Sequence, residues 1–419
     1  MKTMKNSGIP WIKEIPLDWE TCRVSDVFFR KNRKAYQLEP TILTLARSGI
    51  KIRDISSNEG QIAESYYEYN SVTKNDLLLN PMDLQSGDNC SISNVEGVIS
   101  PAYINLRHQN NISPDFYNYL FKVYYWTKAL FTYGKGVSFD NRWTLNYETL
   151  SHLKIVKPKY EEQLKIANYL DEKCGEIDGL ISEIEKEIEV LTQYKKSIIT
   201  ETVTRGLKKD IKLKKSKISW IVQIPEHWEI SKIKYNLSRK TVRNPGNAMV
   251  LSLYREYGIV PKDSRDDNHN VTSEDTSKYL FVKKGQFVIN KMKAWQGSMA
   301  ISKYEGIVSP AYYVYDVNTN NLCKEYLHYL LKNPSYIEEF RRLSGGVREG
   351  QWDLPAEEFE NLLILIPPIQ EQKEIAEYLD KKCKEIDSIL EDKNKQLETL
   401  ESYKKSIIYE YVTGKKEVK

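Results

Sequence analysis

Few residue sets in this chain could do covalent chemistry, and each has a plainer reading as structure. Asn80-Pro81-Met82-Asp83 faintly resembles the N-P-P-aromatic motif of amino-methyltransferases, but the second proline and the aromatic ring are missing. The equivalent stretch later in the chain is Asn290-Lys291-Met292-Lys293, so a strand end is expected at both places. Asp171-Glu172-Lys173 has the composition of a nuclease triad but lies in helical sequence, where it reads as solvated charge. Thr413-Gly414-Lys415 reads as a helix end, not a phosphate loop. The five histidines share no spacing, and the five cysteines lack the CxxC pattern of a zinc site or a disulfide framework. What remains is cationic chemistry. Arginine and lysine hold phosphates and read base edges, arginine in bidentate fashion. Every arginine except Arg205 lies outside the two long helical stretches described below. The candidate contacts are Arg30, Lys31, Arg33, Lys34, Arg47, Lys51, Lys135 and Arg142 in the first half. In the second half they are Arg239, Lys240, Arg243, Arg255, Lys291, Lys293 and Arg348.

The elements that must position these residues occur twice. Glu162–Asp178 and Glu371–Asp387 are identical at 12 of 17 positions, and the string YKKSII recurs at Tyr194–Ile199 and Tyr403–Ile408, always 209 residues apart. That constant offset marks a whole-unit duplication. Apolar residues at Leu170, Cys174, Ile177, Ile181, Ile184, Ile188, Leu191 and Ile198 follow steps of four and three. The second copy repeats them at Leu379, Cys383, Ile386, Leu390, Leu397, Leu400 and Ile407, with a break at Lys393. This is a heptad seam flanked by Glu and Lys, and two matching seams in one chain are natural partners. Antiparallel pairing would set Cys174 against the region of Leu400 and leave Cys174 and Cys383 far apart and free.

Each unit opens on a Trp/Pro-rich entry, Gly8–Glu20 and Trp220–Glu229, too proline-rich for a regular helix and suited to an aromatic clasp. Short strands follow, with Ile42–Ala46, Asp76–Asn80 and Val98–Leu106 the best candidates. Ser113-Pro114 caps a helix expected to run to Phe131, with a counterpart over about 324–342. A last strand ends at Pro158 or Pro367 before each seam helix. The expected fold class is therefore α/β (α+β). Two α/β domains at 1–158 and 209–367 alternate with helices at 159–208 and 368–419, related by a pseudo-two-fold repeat. The stretches around 24–73 and 233–282 match poorly between copies, as they would if one scaffold carried two surfaces that read different things.

The chain has 419 residues and net charge +4, without an apolar run near the ~20 residues of a membrane span, and it reads as cytoplasmic. The order IPWI…IP..W, variable α/β domain, then P…EQ..IA.YLD and a long helix, all twice, closely resembles the specificity subunit of Type I restriction-modification systems. The matching residues are Trp11, Pro16, Trp19, Pro158, Glu162, Gln163, Ile166 and Leu170. The second set is Trp220, Pro225, Trp228, Pro367, Glu371, Gln372, Ile375 and Leu379. The resemblance implies two target recognition domains, each reading one half of an asymmetric bipartite DNA site. It also implies an antiparallel spacer coiled coil that docks two methyltransferase subunits, with motor-nuclease subunits joining the complex. S-adenosylmethionine, ATP and Mg would belong to those partners, and this chain would be non-catalytic. Two other classes are a coiled-coil scaffold without DNA contact and an autonomous modification enzyme. A salt-dependent gel shift separates the first, and the missing cofactor motifs disfavour the second.

Overall fold

The computed structural model describes residues 3–46, 49–55, 63–84, 89–136, 143–208, 210–246, 248–255, 257–265, 272–273, 275–346 and 352–418. The chain forms two compact units, and they cut across sequence order. The first is Met1–Ile184 with Lys395–Lys419, and the second is Glu185–Asn394. Each unit thus holds one α/β body, the start of the long helix that follows it, and the end of the other long helix.

In the first unit a four-stranded antiparallel sheet has the order Phe28–Arg30, Ile104–His108, Leu77–Leu79, Cys90–Ile92. In the second the same order is Leu237–Lys240, Tyr312–Val317, Phe287–Asn290, Met299–Ile301. Register is kept as well: Arg30 pairs with Leu106, and Arg239 pairs with Tyr315. Sequence reading joined Val98–Leu106 into one strand, but the Ser100–Tyr103 turn divides it into Gly97–Ile99 and Ile104–His108. The Ser113 hydroxyl accepts from the Phe116 amide, capping a helix over Pro114–Trp126, shorter than expected. Its counterpart is two helices, Lys324–Leu331 and Pro334–Leu343, because Pro334 lacks an N–H and pushes Asn333 out of the helical region.

The long helices span Tyr160–Arg205 and Ile369–Val412. Within each unit their segments run antiparallel. Lys404 Nζ lies 2.6 Å from Asp178 in the first unit, and Lys195 Nζ lies 2.5 Å from Asp387 in the second, where Lys393 also pairs with Glu187. Lys195 and Lys404, like Lys393, fall on the seam spacing, so lysine interrupts the apolar row three times. Each ammonium reaches outward to an acidic residue of the opposing helix while its stem stays on the seam. The seam is buried at Leu170, Cys174, Ile177, Ile198, Leu379, Cys383, Ile386 and Ile407. It is only half-buried at Ile181, Ile184, Ile188, Leu191, Leu390, Leu397 and Leu400, where two helices alone cannot cover it. The Asp178–Lys404 register sets Cys174 against Ile407 and Ile408, and it moves Leu400 towards Ile181, two turns from its expected place. None of the five cysteines is joined in a disulfide.

The entry segments are clasps, and the object they hold is a helix end. In the first unit Trp19 is 1% exposed, donates from Nε1 to Glu162 at 2.9 Å, and packs on Gly414, whose φ of +71° ends the second long helix. In the second unit Trp228 packs on Gly206, at φ +77° after the first long helix, while His227 contacts Glu371 at 2.8 Å. The repeated EQ pair is thereby explained. The Glu meets the entry clasp, and the buried Gln163 and Gln372 tie the start of the long helix to the residue before the helix at Pro114 or Lys324, through the Ser113 and Cys323 amides.

Gly97 and Gly306, which open the two SPAY-containing strings, mark a close chain crossing. A Cβ at Gly306 would run into the Met249 carbonyl and come within 2.8 Å of Leu251 Cγ, and at Gly97 it would meet Thr41 and Leu43 likewise. A backbone carbonyl cannot rotate away as a side chain can. Gly306→Ala is expected to destabilise the second unit by roughly 1–3 kcal/mol, visible as a lowered unfolding midpoint. An unchanged midpoint would mean that the crossing adjusts freely.

Candidate nucleic-acid interface

The edge strand of each four-stranded sheet and the residues just after it carry several of the cations that the sequence singles out. Arg30 ends the edge strand of the first unit with its guanidinium 5.4 Å from the Tyr147 ring centroid. Lys31, the next residue, turns inward. Its ammonium lies 2.6 Å from Asp76, a fully buried carboxylate that Arg107 also approaches at 3.1 Å. Lys31 is therefore engaged within the fold, unlike its neighbours. Arg33 and Lys34, with Lys31, Tyr36 and Gln37, line a polar cleft of about 900 Å³. Tyr36 stands at its lip with φ +48°, 60% exposed, its ring 5.3 Å from Tyr67. Lys51 is exposed on the outer strand of the Leu43–Ala46/Gly49–Ile52 hairpin, and Lys135 is exposed opposite Thr144. Arg47 and Arg142 lie outside the described residues, as does Arg348 of the second unit.

The second unit repeats the scaffold with other partners. Arg239 lies 5.8 Å from the Tyr313 ring centroid and 3.7 Å from Glu360. Lys240 pairs with Asp316 at 3.3 Å, and the hydrogen bond from Gln286, seconded by Lys240, holds the Asp316 carboxyl below its ordinary range. Lys291 is tied to Asp353 at 2.9 Å, across the base of the glycine-marked loop. Arg255 donates to Gln296 at 2.8 Å and its carbonyl accepts from Lys332, whose own pKa burial pushes down. Arg243 and Lys293 are exposed. Asn80 and Asn290 each accept from the amide two residues on, so both are turn-forming strand ends, as the sequence indicated.

Sequence reasoning missed several groups. Arg107 closes the Asp76 pair. Arg265 stacks 4.1 Å from the Tyr257 ring centroid and 5.5 Å from that of Tyr254, on the hairpin Leu251–Tyr254/Gly258–Pro261. The corresponding strand of the first unit ends on Ala46, where the second has Tyr254, so the ring is not repeated there among the described residues. The tyrosine pair in Tyr254-Arg255-Glu256-Tyr257 was a legible signal, but the arginine that it holds lies eight residues further on. Among the described residues no cluster of His, Cys, Asp or Glu is arranged to hold a metal ion. Among the described residues no helix is long and apolar enough to cross a membrane. The arrangement offers two similar sheets with cationic, tyrosine-rich and mutually different rims, which suits binding a polyanion in two places.

The profile of the Type I restriction modification DNA specificity domain matches residues 225–399, nearly all of them in the second unit. Over nearly the whole chain the sequence is 28% identical to the type I restriction enzyme MjaVIII specificity subunit of Methanocaldococcus jannaschii, covering 97% of this chain and 94% of that protein. A chain solved in a study of complex assembly and conformational transition of the type I R-M system superposes with a TM-score of 0.67 at 12% identity, covering 95% of this chain and 98% of that one. The HsdS subunit of Thermoanaerobacter tengcongensis superposes with a TM-score of 0.50 at 13% identity, covering 96% and 98%. At such identities the superpositions speak for the fold.

Proposed function

We propose that this chain is a specificity subunit of a Type I restriction-modification system and reads an asymmetric, bipartite DNA sequence, one half-site per unit. It is a non-catalytic DNA-recognition subunit. The observation that carries the bipartite reading is the same four-stranded sheet twice, in one register, with different side chains around it. One scaffold gives one docking geometry, and two rims give two half-sites. A site read by two unlike rims is not palindromic.

The long helices act as spacer and dock. Each is on the order of 65–70 Å long at ~1.5 Å per residue. In the first unit Leu180 and Tyr403 are exposed beside the Asp178–Lys404 pair, and in the second Ile389 and Tyr194 occupy the same places beside Lys195–Asp387. One such patch per unit fits two identical partners, which we take to be two methyltransferase subunits, with motor-nuclease subunits joining through them. S-adenosylmethionine, ATP and Mg belong to those partners, and the assembly works on chromosomal DNA in the cytoplasm.

The test is single-molecule sequencing of methylated adenines in a host that expresses this chain with its methyltransferase subunit. The expected result is a new motif of a few bases, a fixed gap and a few bases. No new motif, with the methyltransferase active beside another specificity subunit, would overturn the reading.

A further inference from the structure

We propose that Arg30 and Arg239 are matched phosphate anchors, one per unit, and that Tyr147 and Tyr313 are the positioning residues that hold them ready. The inference rests on the DNA-reading function proposed above and assigns roles within it.

Three observations converge. The two arginines occupy the same place in the scaffold: each is on the edge strand of its sheet, paired with Leu106 in one unit and with Tyr315 in the other, 209 residues apart in both cases. Each has an aromatic ring beneath it, at 5.4 Å and 5.8 Å, and the rings come from unrelated positions. Tyr147 opens the helix Tyr147–His152, whose counterpart Ala356–Asn361 opens on alanine. Tyr313 lies on the central strand Tyr312–Val317, where the first unit has Ile104. The same support has thus been supplied twice by different residues, as expected if the stacked arginine is what matters. Both rings are half-buried against the core, and Tyr313 is pinned further by its hydroxyl, which donates to the Leu354 carbonyl at 3.2 Å.

The lysine beside each arginine sharpens the contrast. Lys31 and Lys240 also match in register, and both are paired with carboxylates, Asp76 and Asp316. Arg30 makes no ion pair among the described residues, and Arg239 has only Glu360, at 3.7 Å. Stacking holds a guanidinium by its face and leaves its charge un-neutralised, with the N–H donors along the edge in the fork that fits a phosphate. A group common to both units cannot tell two different half-sites apart. The backbone phosphate is the part of DNA that every half-site shares. Copy-specific groups such as Arg265 with Tyr254 and Tyr257 are left for base reading.

The experiment uses the full chain assembled with its methyltransferase subunits and measures binding to the cognate site and to a site with one half scrambled, across a salt series. Arg30→Ala and Arg239→Ala are each expected to weaken binding about tenfold on both DNAs and to lower the log–log salt slope by about 1, with the methylated motif unchanged. Arg30→Lys and Arg239→Lys keep the charge, so the slope stays while part of the affinity goes. Tyr147→Leu and Tyr313→Leu give a smaller, equally sequence-independent loss, and Tyr147→Phe gives none. A changed base preference in the arginine variants would make them base readers and overturn the assignment. Wild-type affinity and slope would make the stacks purely structural and overturn it equally. If the wild-type complex itself shows no preference for the cognate site, it is the DNA-reading function that fails, and the two failures are thereby distinguished.

Discussion

A chain ended after Asn394 is expected to lose the fold of its first unit while the second keeps its own. The segment removed, Lys395–Lys419, belongs to the first unit although it is most distant in sequence from that unit's entry. It supplies Ile407, Ile408 and Val412 to the first core, at 5%, 1% and 0% exposure. Burying three such side chains contributes roughly 5–9 kcal/mol at ~1.5–3 each, which rivals the ~5–15 kcal/mol of a whole domain. The polar ties go as well: Tyr409 to the Trp11 carbonyl at 3.3 Å, Lys415 to the Glu14 carbonyl at 2.7 Å, and Lys404 to Asp178. Trp19 would lose Gly414, against which its ring packs. The second unit ends at Asn394 and retains Val203 and Tyr326, so its own core is untouched. Peptide-resolved hydrogen exchange reads the outcome directly. Rapid exchange through the first sheet with protection kept through Leu237–Ile366 is the expected pattern. Undiminished protection of Phe28–His108 would show that the helix end is a passenger.

The second large effect comes from one buried side chain per unit. Gln163 is 1% exposed and Gln372 is 0% exposed. Gln163 accepts from the Ser113 amide at 2.9 Å and donates to the Pro158 carbonyl at 2.8 Å. Gln372 accepts from the Cys323 amide at 2.8 Å and donates to the carbonyls of Pro367 and Asn321, at 2.7 and 2.9 Å. One amide therefore joins the proline turn before the long helix to the residue that precedes the recognition-domain helix. A leucine would fit the volume but leave an N–H and at least one carbonyl buried without partners, at about 1–3 kcal/mol each. Gln163→Leu is expected to cost the first unit roughly 2–5 kcal/mol and Gln372→Leu the second, with near-additive effects in the double variant because the sites share no partners. Urea unfolding followed by unit-specific hydrogen exchange checks this. A loss under ~0.5 kcal/mol would mean that water or a backbone shift replaces the amide, and a loss shared equally by both units would contradict their separate cores.

Residue order alone settled much of this protein. The 209-residue offset fixed the duplication, and the steps of four and three fixed the long helices, because helical periodicity is a local property of the chain. Pro158 and Pro367 marked where each helix begins, and the motif Glu-Gln followed by Ile-Ala and Tyr-Leu-Asp carried the resemblance to specificity subunits. The sequence also placed cationic residues on rims that differ between units. Their state was not legible, since whether a lysine faces solvent or a carboxylate depends on residues far away. Lys31 and Lys240 look like Arg30 and Arg239 on paper, yet Asp76, 45 positions on, engages the first and Asp316 the second.

Other features were decided by tertiary structure for the same reason. The compact units do not follow chain order, because an antiparallel pair of helices returns each helix end to the body from which the other helix starts. The seam register followed the Asp178–Lys404 and Lys195–Asp387 pairs, which shifted the partner of Cys174 from Leu400 to Ile407 and Ile408. Apolar periodicity defines a stripe but leaves the sliding of one stripe along another undetermined, and the pairing of seam lysines with carboxylates beside the opposite seam selects the position. Gly97 and Gly306 needed a second chain passing overhead before their lack of a side chain had a reason. The aromatic rings beneath Arg30 and Arg239 became visible only when the sheets were assembled, since neither tyrosine is near its arginine in sequence and the two do not correspond to each other.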